Sequence, residues 1–214
     1  MAYDEFGEEI RRLYVPTEDP CSRPIPLHQL VVYNSQKKIS QLRMKVMARP
    51  DSFPDKQSMV VFIDGACRNN GSPTARASYG VYLGPESPYN RYGLVPDSLP
   101  QTSTRAEIEA FSQALDVIRA ITDRDFMLSQ IKIATDSSFL VKAMSQWMET
   151  WIENDGIGSE GKRVAHFQIL KQLHEKLDYM EYSDDGGREV QFWHVPREMN
   201  KEADALANKA FDNT

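Results

Sequence analysis

The run Val60-Val61-Phe62-Ile63-Asp64-Gly65-Ala66-Cys67-Arg68-Asn69-Asn70 decides the fold. Its first four residues are apolar and mostly β-branched, as expected of a central strand buried on both faces. Asp64 ends that apolar run, and Gly65 after it is read as permitting a sharp turn. A carboxylate abutting a buried strand is costly unless it is paired or bound to a metal. The stretch therefore predicts both a sheet and a reason to look for other acids.

Regular patterning continues on the C-terminal side. Ala77 to Leu83 and Tyr89 to Val95 read as two strands joined through Gly84-Pro85, an antiparallel meander. Thr104 to Ile121 is helical, with Ile108, Phe111, Leu115 and Ile118 in one stripe. Ile131 to Thr135 is a further strand, followed by helix-like sequence from Ser137 through Trp151. A loop over Asn154 to Gly161 precedes a helix ending near Leu177, and Val190 to Val195 and Asn200 to Phe211 read as the last strand and helix. The order βββαβααβα predicts an α/β domain with a mixed five-stranded sheet flanked by helices.

On the N-terminal side the pattern breaks down. Pro16, Pro20, Pro24, Pro26, Pro50 and Pro54 punctuate residues 1–58, which read as an extension, part loop with a hairpin or short helix. Residues 59–214 read as a single regularly patterned domain. The extension carries Lys37, Lys38, Arg43, Lys45 and Arg49 with no acid among them, a candidate phosphate-contacting stretch.

Composition narrows the function classes. No run approaches the roughly 20 apolar residues of a membrane span, so no membrane partner is expected. Cys21 and Cys67 fit a reduced intracellular chain better than a disulfide framework. Residues 1–20 carry Asp4, Glu5, Glu8, Glu9, Glu18 and Asp19 against Arg11 and Arg12, which favours nucleus or cytoplasm over a mitochondrion. The net charge of −6 weighs against a nucleic-acid enzyme unless the acids are gathered where cations neutralise them.

Asp64, Glu107, Asp136 and Asp204 all stand at element ends in this reading. Each has a plainer alternative. Thr104 and Glu107 could form a capping box, Asp136 could cap the next helix, and Asp204 could face a helix dipole.

Four motifs, taken together, resemble the type 1 ribonuclease H family. They are Phe62 to Asn70, Thr102-Ser103-Thr104-Arg105-Ala106-Glu107-Ile108, Ala134-Thr135-Asp136-Ser137, and Asn200-Lys201-Glu202-Ala203-Asp204-Ala205-Leu206-Ala207. They occur in the family's order, and the resemblance runs from about Met59 to Phe211. It implies a ribonuclease H-like fold and an endonuclease that hydrolyses the RNA strand of RNA–DNA hybrids. It further implies that Asp64, Glu107, Asp136 and Asp204 hold two Mg²⁺ ions, with Mn²⁺ able to substitute, and that products carry 5′-phosphate and 3′-hydroxyl ends. Oxygen ligands of this kind suit such hard cations.

The same resemblance places Asn70 and Ser103 at the hybrid's minor groove and Thr102 at a DNA-strand phosphate. Asn70 as a turn residue and Thr102 as a helix-entry residue are the competing assignments. Phe139, Trp147 and Trp151 fall on the family's DNA-strand channel and handle helix. At helical spacing the two tryptophans share a face with Met144 and Met148, so mixed use by substrate and core is expected. The handle departs from the family in being acidic: Glu149, Glu153, Asp155 and Glu160 face only Lys162 and Arg163. The loop before the last helix lacks the usual Gly-His pair. His194, in the last strand, is read as structural rather than as a proton shuttle. A monomer is expected.

Two other classes compete. A binding or scaffolding module would have lost a carboxylate, and none is missing. A different two-metal nuclease on this fold, such as an exonuclease or junction resolvase, is disfavoured by the handle tryptophans and the Thr-Arg-Ala-Glu motif.

Overall fold

A computed structural model describes residues 2–3, 9–10, 12–182 and 187–212. Two short strands, β1 (Ala2–Tyr3) and β2 (Glu9–Ile10), form a small ladder of their own. The remaining strands are β3 (Val31–Asn34), β4 (Ile39–Met44), β5 (Phe53–Pro54), β6 (Ser58–Arg68), β7 (Arg76–Tyr82), β8 (Arg91–Leu94), β9 (Gln130–Thr135) and β10 (Glu189–His194). The helices are α1 (Ser103–Thr122), α2 (Ser138–Lys142), α3 (Met148–Glu153), α4 (Phe167–Tyr182) and α5 (Lys201–Lys209).

The main sheet is mixed, as read, but has eight strands rather than five. Strands β10, β9 and β6 are parallel, while β7 pairs antiparallel with β6 and β8 with β7. The added strands β3, β4 and β5 all come from before Ser58. The hairpin β3–β4 meets β6 at Ser40↔Val60, and Gln41 Nε2 donates to Ser58 O at 3.1 Å. The proline-punctuated segment is thus joined to the sheet by backbone pairing, which its lack of periodicity concealed.

Strand alternation sorts the core into two layers. Met59, Val61 and Ile63 face α1 and α4 with Ile131, Ile133 and Phe192. Val60 and Phe62 face the other way, with Ala134, Trp193 and Ala203 of α5. Tyr14, Ile25, Leu30 and Leu42 complete that second layer, so the N-terminal segment covers sheet surface that α5 leaves open. Arg12 pins the segment to α4. Its guanidinium is buried and reaches Asp178 at 2.6 Å and Glu181 at 2.7 Å.

Some sequence boundaries shift. Strand β6 runs straight through Asp64 to Arg68, so there is no turn at Gly65. Helix α4 continues to Tyr182, beyond the end read near Leu177. The helical stretch after Ser137 is interrupted by a π turn over Ala143–Trp147. Such a turn inserts a residue into the helical spacing. Met144 and Met148 accordingly go into the core while Trp147 is 36% exposed, so the methionines and Trp147 do not share a face.

Candidate active site

The two strand acids come together by register. Phe62 pairs with Ala134 in the parallel ladder β6–β9. Two residues further along, Asp64 and Asp136 therefore stand side by side on the face that carries Phe62 and Ala134. Neighbouring strands are about 4.8 Å apart, so both carboxylates cannot ionise there without a cation. Burial, then the charges of Asp136 and Asp204, push the Asp64 carboxyl up to about 8, with a hydrogen bond to Asp136 adding to the rise and Arg197 opposing it.

Gly65 points the opposite way, toward α1, and its lack of a side chain sets the third acid. A Cβ on Gly65 would lie 2.3 Å from Glu107 N and 2.4 Å from Ala106 C. The start of α1 thus rests directly on the strand backbone. Glu107 is half-buried as a residue, but its Oε2 is sealed from solvent and has no hydrogen-bond partner. Burial first, then Asp64 and Asp136, raise its carboxyl well above the ordinary range, while the Gly65 N–H acts against the rise. The helix cap is Thr102, whose Oγ1 accepts from Arg105 N at 3.1 Å, so Glu107 is not spent in a capping box with Thr104.

Asp136 is likewise free of capping, since Ser137 caps α2. Asp204 lies in the first turn of α5, half-exposed, with Arg197 Nη2 at 3.8 Å from its Oδ1. Gly80 lets α5 approach: a Cβ there would be 2.3 Å from Ala203 O.

Asn200 is a site residue that sequence reading assigned no role. It is 1% exposed. Its Nδ2 donates to Asp136 Oδ1 at 2.9 Å and to Ile63 O at 3.0 Å, with Asp64 Oδ1 at 3.5 Å. Its own Oδ1 is buried without a partner. The signal available in the sequence was its place four residues before Asp204, one helical turn away.

The four acids thus occupy one region, with Asp64 coupled to Asp136 and Asp204, and Glu107 to Asp64 and Asp136. Among the described residues no three His, Cys, Asp or Glu side chains stand as a ready metal-holding group.

The substrate-facing candidates fall into two groups. Asn70 is exposed in the turn after β6, between Asn69 and Gly71 with φ of 53° and 82°. Cys67 Sγ links that turn to the entry of α1, lying 3.7 Å from Asn70 Oδ1 and 3.6 Å from Gln101 O. Ser103 is exposed beside it, whereas the Thr102 hydroxyl serves the helix cap. The second group is aromatic. Phe139 and Trp147 have ring centroids 6.4 Å apart, and Trp147 and Trp151 5.6 Å. Phe139 and Trp151 lean on the core while Trp147 opens to solvent.

His194 ends β10 and donates through Nε2 to Asp136 O at 3.3 Å. The first residue of the basic stretch lies elsewhere. Lys37 pairs with Asp125 at 2.7 Å, beyond the C-terminal end of α1. Counting 18 residues from Glu107 to Asp125 at a helical rise puts it about 25 Å from the carboxylates.

The RNase H family model matches residues 56–212, and the matched span contains all four acids and Asn200. The chain belongs to the RNase H family. Rat Ribonuclease H1 is 34% identical over 158 residues, 72% of this chain and 50% of the rat protein. Human Ribonuclease H1 is 33% identical over 158 residues, 71% of this chain and 49% of the human one. The chain therefore spans about half the length of these curated relatives. Among solved structures, a foamy viral protease-reverse transcriptase in complex with RNA/DNA hybrid superposes with a TM-score of 0.57 at 16% identity, over 79% of this chain and 22% of that one. An RNase H1 isolated from compost gives 0.53 at 21% identity, over 73% of this chain and 97% of its own. At those identities the structures establish the fold. No helix among the described residues is long and apolar enough to cross a membrane.

Proposed function

We propose that this RNase H family member is a metal-dependent endonuclease that hydrolyses the RNA strand of RNA–DNA hybrids, leaving 5′-phosphate and 3′-hydroxyl ends. The observation that carries the reading is the in-register pair Asp64 and Asp136, joined by Glu107 and Asp204 in one region of the family's frame. All four come from one chain, so a monomer suffices.

The residues present fit divalent cations. A buried carboxylate oxygen on Glu107 has no partner, and Asp64 is pushed to hold its proton by burial and then by its acidic neighbours. Hard cations with oxygen ligands, Mg²⁺ first and Mn²⁺ as a substitute, would relieve both. Asp64, Glu107, Asp136 and Asp204 would hold two of them. What the bound pair would supply is neutralisation of charge developing on the attacking water and on the leaving oxygen of an in-line displacement.

The chain's own residues do the positioning. Asn200 fixes the Asp136 carboxylate through Nδ2 and ties it to the β6 backbone. Asp204, half-exposed at the start of α5, forms the solvent-facing side of the group. Asn70 and Ser103, both exposed, would read the minor groove and its 2′-hydroxyls, which distinguish RNA from DNA. Thr102, with its hydroxyl in the helix cap, contributes to a DNA-strand phosphate site through the helix start it shapes. Phe139, Trp147 and Trp151 present ring faces on which the DNA strand's sugars would pack.

The test is incubation of the purified chain with a labelled RNA–DNA hybrid and Mg²⁺, beside single-stranded RNA, duplex RNA and an EDTA control. Internal cuts confined to the hybrid's RNA strand and abolished by EDTA are expected. Equal cutting of duplex RNA, or cutting in EDTA, would overturn the reading.

A further inference from the structure

The N-terminal segment reaches the catalytic end of the sheet. Tyr14 N donates to Phe192 O and Phe192 N to Arg12 O, both at 2.8 Å, and Leu13 bridges Phe192 in parallel sense. Residues 12–14 therefore run along the outer edge of β10 in its own direction, toward the end where Asp136 stands. The chain then turns, with Glu18 N and Asp19 N both donating to Val15 O, and folds back over Trp193. Tyr14 holds the turn in place, its ring edge-on to Trp193 at 5.5 Å and its hydroxyl 2.6 Å from Ser22 Oγ.

This path leaves a cavity of about 250 Å³ lined by Pro16, Arg23, Ile25, Leu27, Trp193 and His194 among others. That is slightly below the roughly 300–1,000 Å³ of drug-sized ligand pockets and suits one small unit. Its walls are largely apolar, and Leu27 is 41% exposed. Arg23 is exposed, and no carboxylate lines the cavity. His194 is shared: it lines the cavity and bonds the main chain of Asp136 at 3.3 Å.

We propose that this cavity is a binding subsite for one nucleotide of the RNA strand, built by the N-terminal segment. An apolar wall suits a base or ribose, and Arg23 suits the attached phosphate. Continuity with Asp136 identifies the strand, because the scissile strand must pass over that carboxylate. The cation here offsets an acidic handle and a chain of net charge −6. Pro16 to Leu27 lie outside the span matched by the family model, whereas Trp193 and His194 lie inside it. The inference rests on the proposed hybrid cleavage, and its failure is separable from that of the cleavage reading.

The full chain is tested with Arg23→Glu beside Arg124→Glu, an equal charge change on an exposed residue past the far end of α1. Hybrid binding is measured in EDTA across a salt series, with melting temperature as the folding control. Arg23→Glu should weaken binding about tenfold and lower the log–log salt slope by about 0.7–0.9. Arg124→Glu should do neither. In parallel, 4-thiouridine in the RNA strand should photo-crosslink to the peptide containing Pro16 to Leu27, and thiothymidine in the DNA strand should not. Equal effects of the two variants, or crosslinks from the DNA strand alone, would overturn the subsite while leaving wild-type hybrid cleavage intact. Absence of cleavage by the wild type would instead remove the reading beneath it.

Discussion

Asn200 Nδ2 donates to Asp136 Oδ1 at 2.9 Å from a position that is 1% exposed. The bond ties the end of β9 to the first turn of α5, the two elements that carry Asp136 and Asp204. Because the same amide reaches Ile63 O on β6, one side chain sets the relative height of both strand acids.

Replacing Asn200 by Ala should therefore act on turnover. Loss of the buried donor leaves Ile63 O and Asp136 without it and should cost about 1–3 kcal/mol of stability. With substrate contacts intact, kcat for hybrid cleavage should fall at least about tenfold while KM stays close to the wild-type value. Steady-state kinetics on a hybrid check this. A raised KM with unchanged kcat would move Asn200 to the substrate surface.

The acids also fix how stability depends on pH without metal. Asp64 sits at about 8, raised by burial and then by Asp136 and Asp204, and Glu107 is raised as well. A carboxyl whose folded value exceeds its unfolded value of about 4 binds its proton more tightly when folded. Its contribution is complete below about pH 4 and is lost as pH rises through about 8. In EDTA the melting temperature should fall from about pH 5 to about pH 9, and Asp64→Asn should flatten the fall. Calorimetry across that range decides it, and a wild-type slope unchanged in Asp64→Asn would contradict the assignment.

Gly65→Ala should be far more damaging than its single methyl suggests. The added Cβ would meet Glu107 N at 2.3 Å, so α1 must move off β6. Overpacking of this kind costs about 1–3 kcal/mol, and Glu107 moves with its helix. A lowered melting temperature together with a raised Mg²⁺ requirement is expected. A variant matching wild type in both would show that the helix has room to shift.

The basic stretch before β6 should not contribute to hybrid binding. Lys37 is engaged with Asp125 past the end of α1, well away from the carboxylates. Ala at Lys37 and Lys38 should leave the log–log salt slope unchanged. A drop of about 0.7–0.9 per residue would mean a phosphate contact there.

Much of this was legible in the sequence, for physical reasons. Val60 to Ile63 is buried on both faces and so reads as an apolar run, Ile131 to Thr135 reads as a strand, and the acids that follow them had to be neighbours if the strands were. What escaped was set by contacts rather than periodicity. Strand β4 is held to β6 by Ser40, Gln41 and Ser58, polar residues that carry no strand signature. The π turn ending at Trp147 changes the helical phase in a way no residue type announces. Gly65 was read as a turn because its purpose, contact with Ala106 and Glu107, lies 41 residues away or more along the chain. Asn200 carries no signature beyond its place one helical turn before Asp204, because its partners Ile63 and Asp136 are distant in sequence.

The most direct test of the carboxylate centre is hybrid cleavage by Asp64→Asn beside wild type at saturating Mg²⁺. Asn keeps the shape of Asp64 and removes the charge that a cation would share with Asp136. The expected result is a variant that melts no lower than wild type in EDTA and has lost at least about a hundredfold in turnover, equivalent to ~2.7 kcal/mol of barrier. Wild-type cleavage rates from purified, folded Asp64→Asn would contradict it.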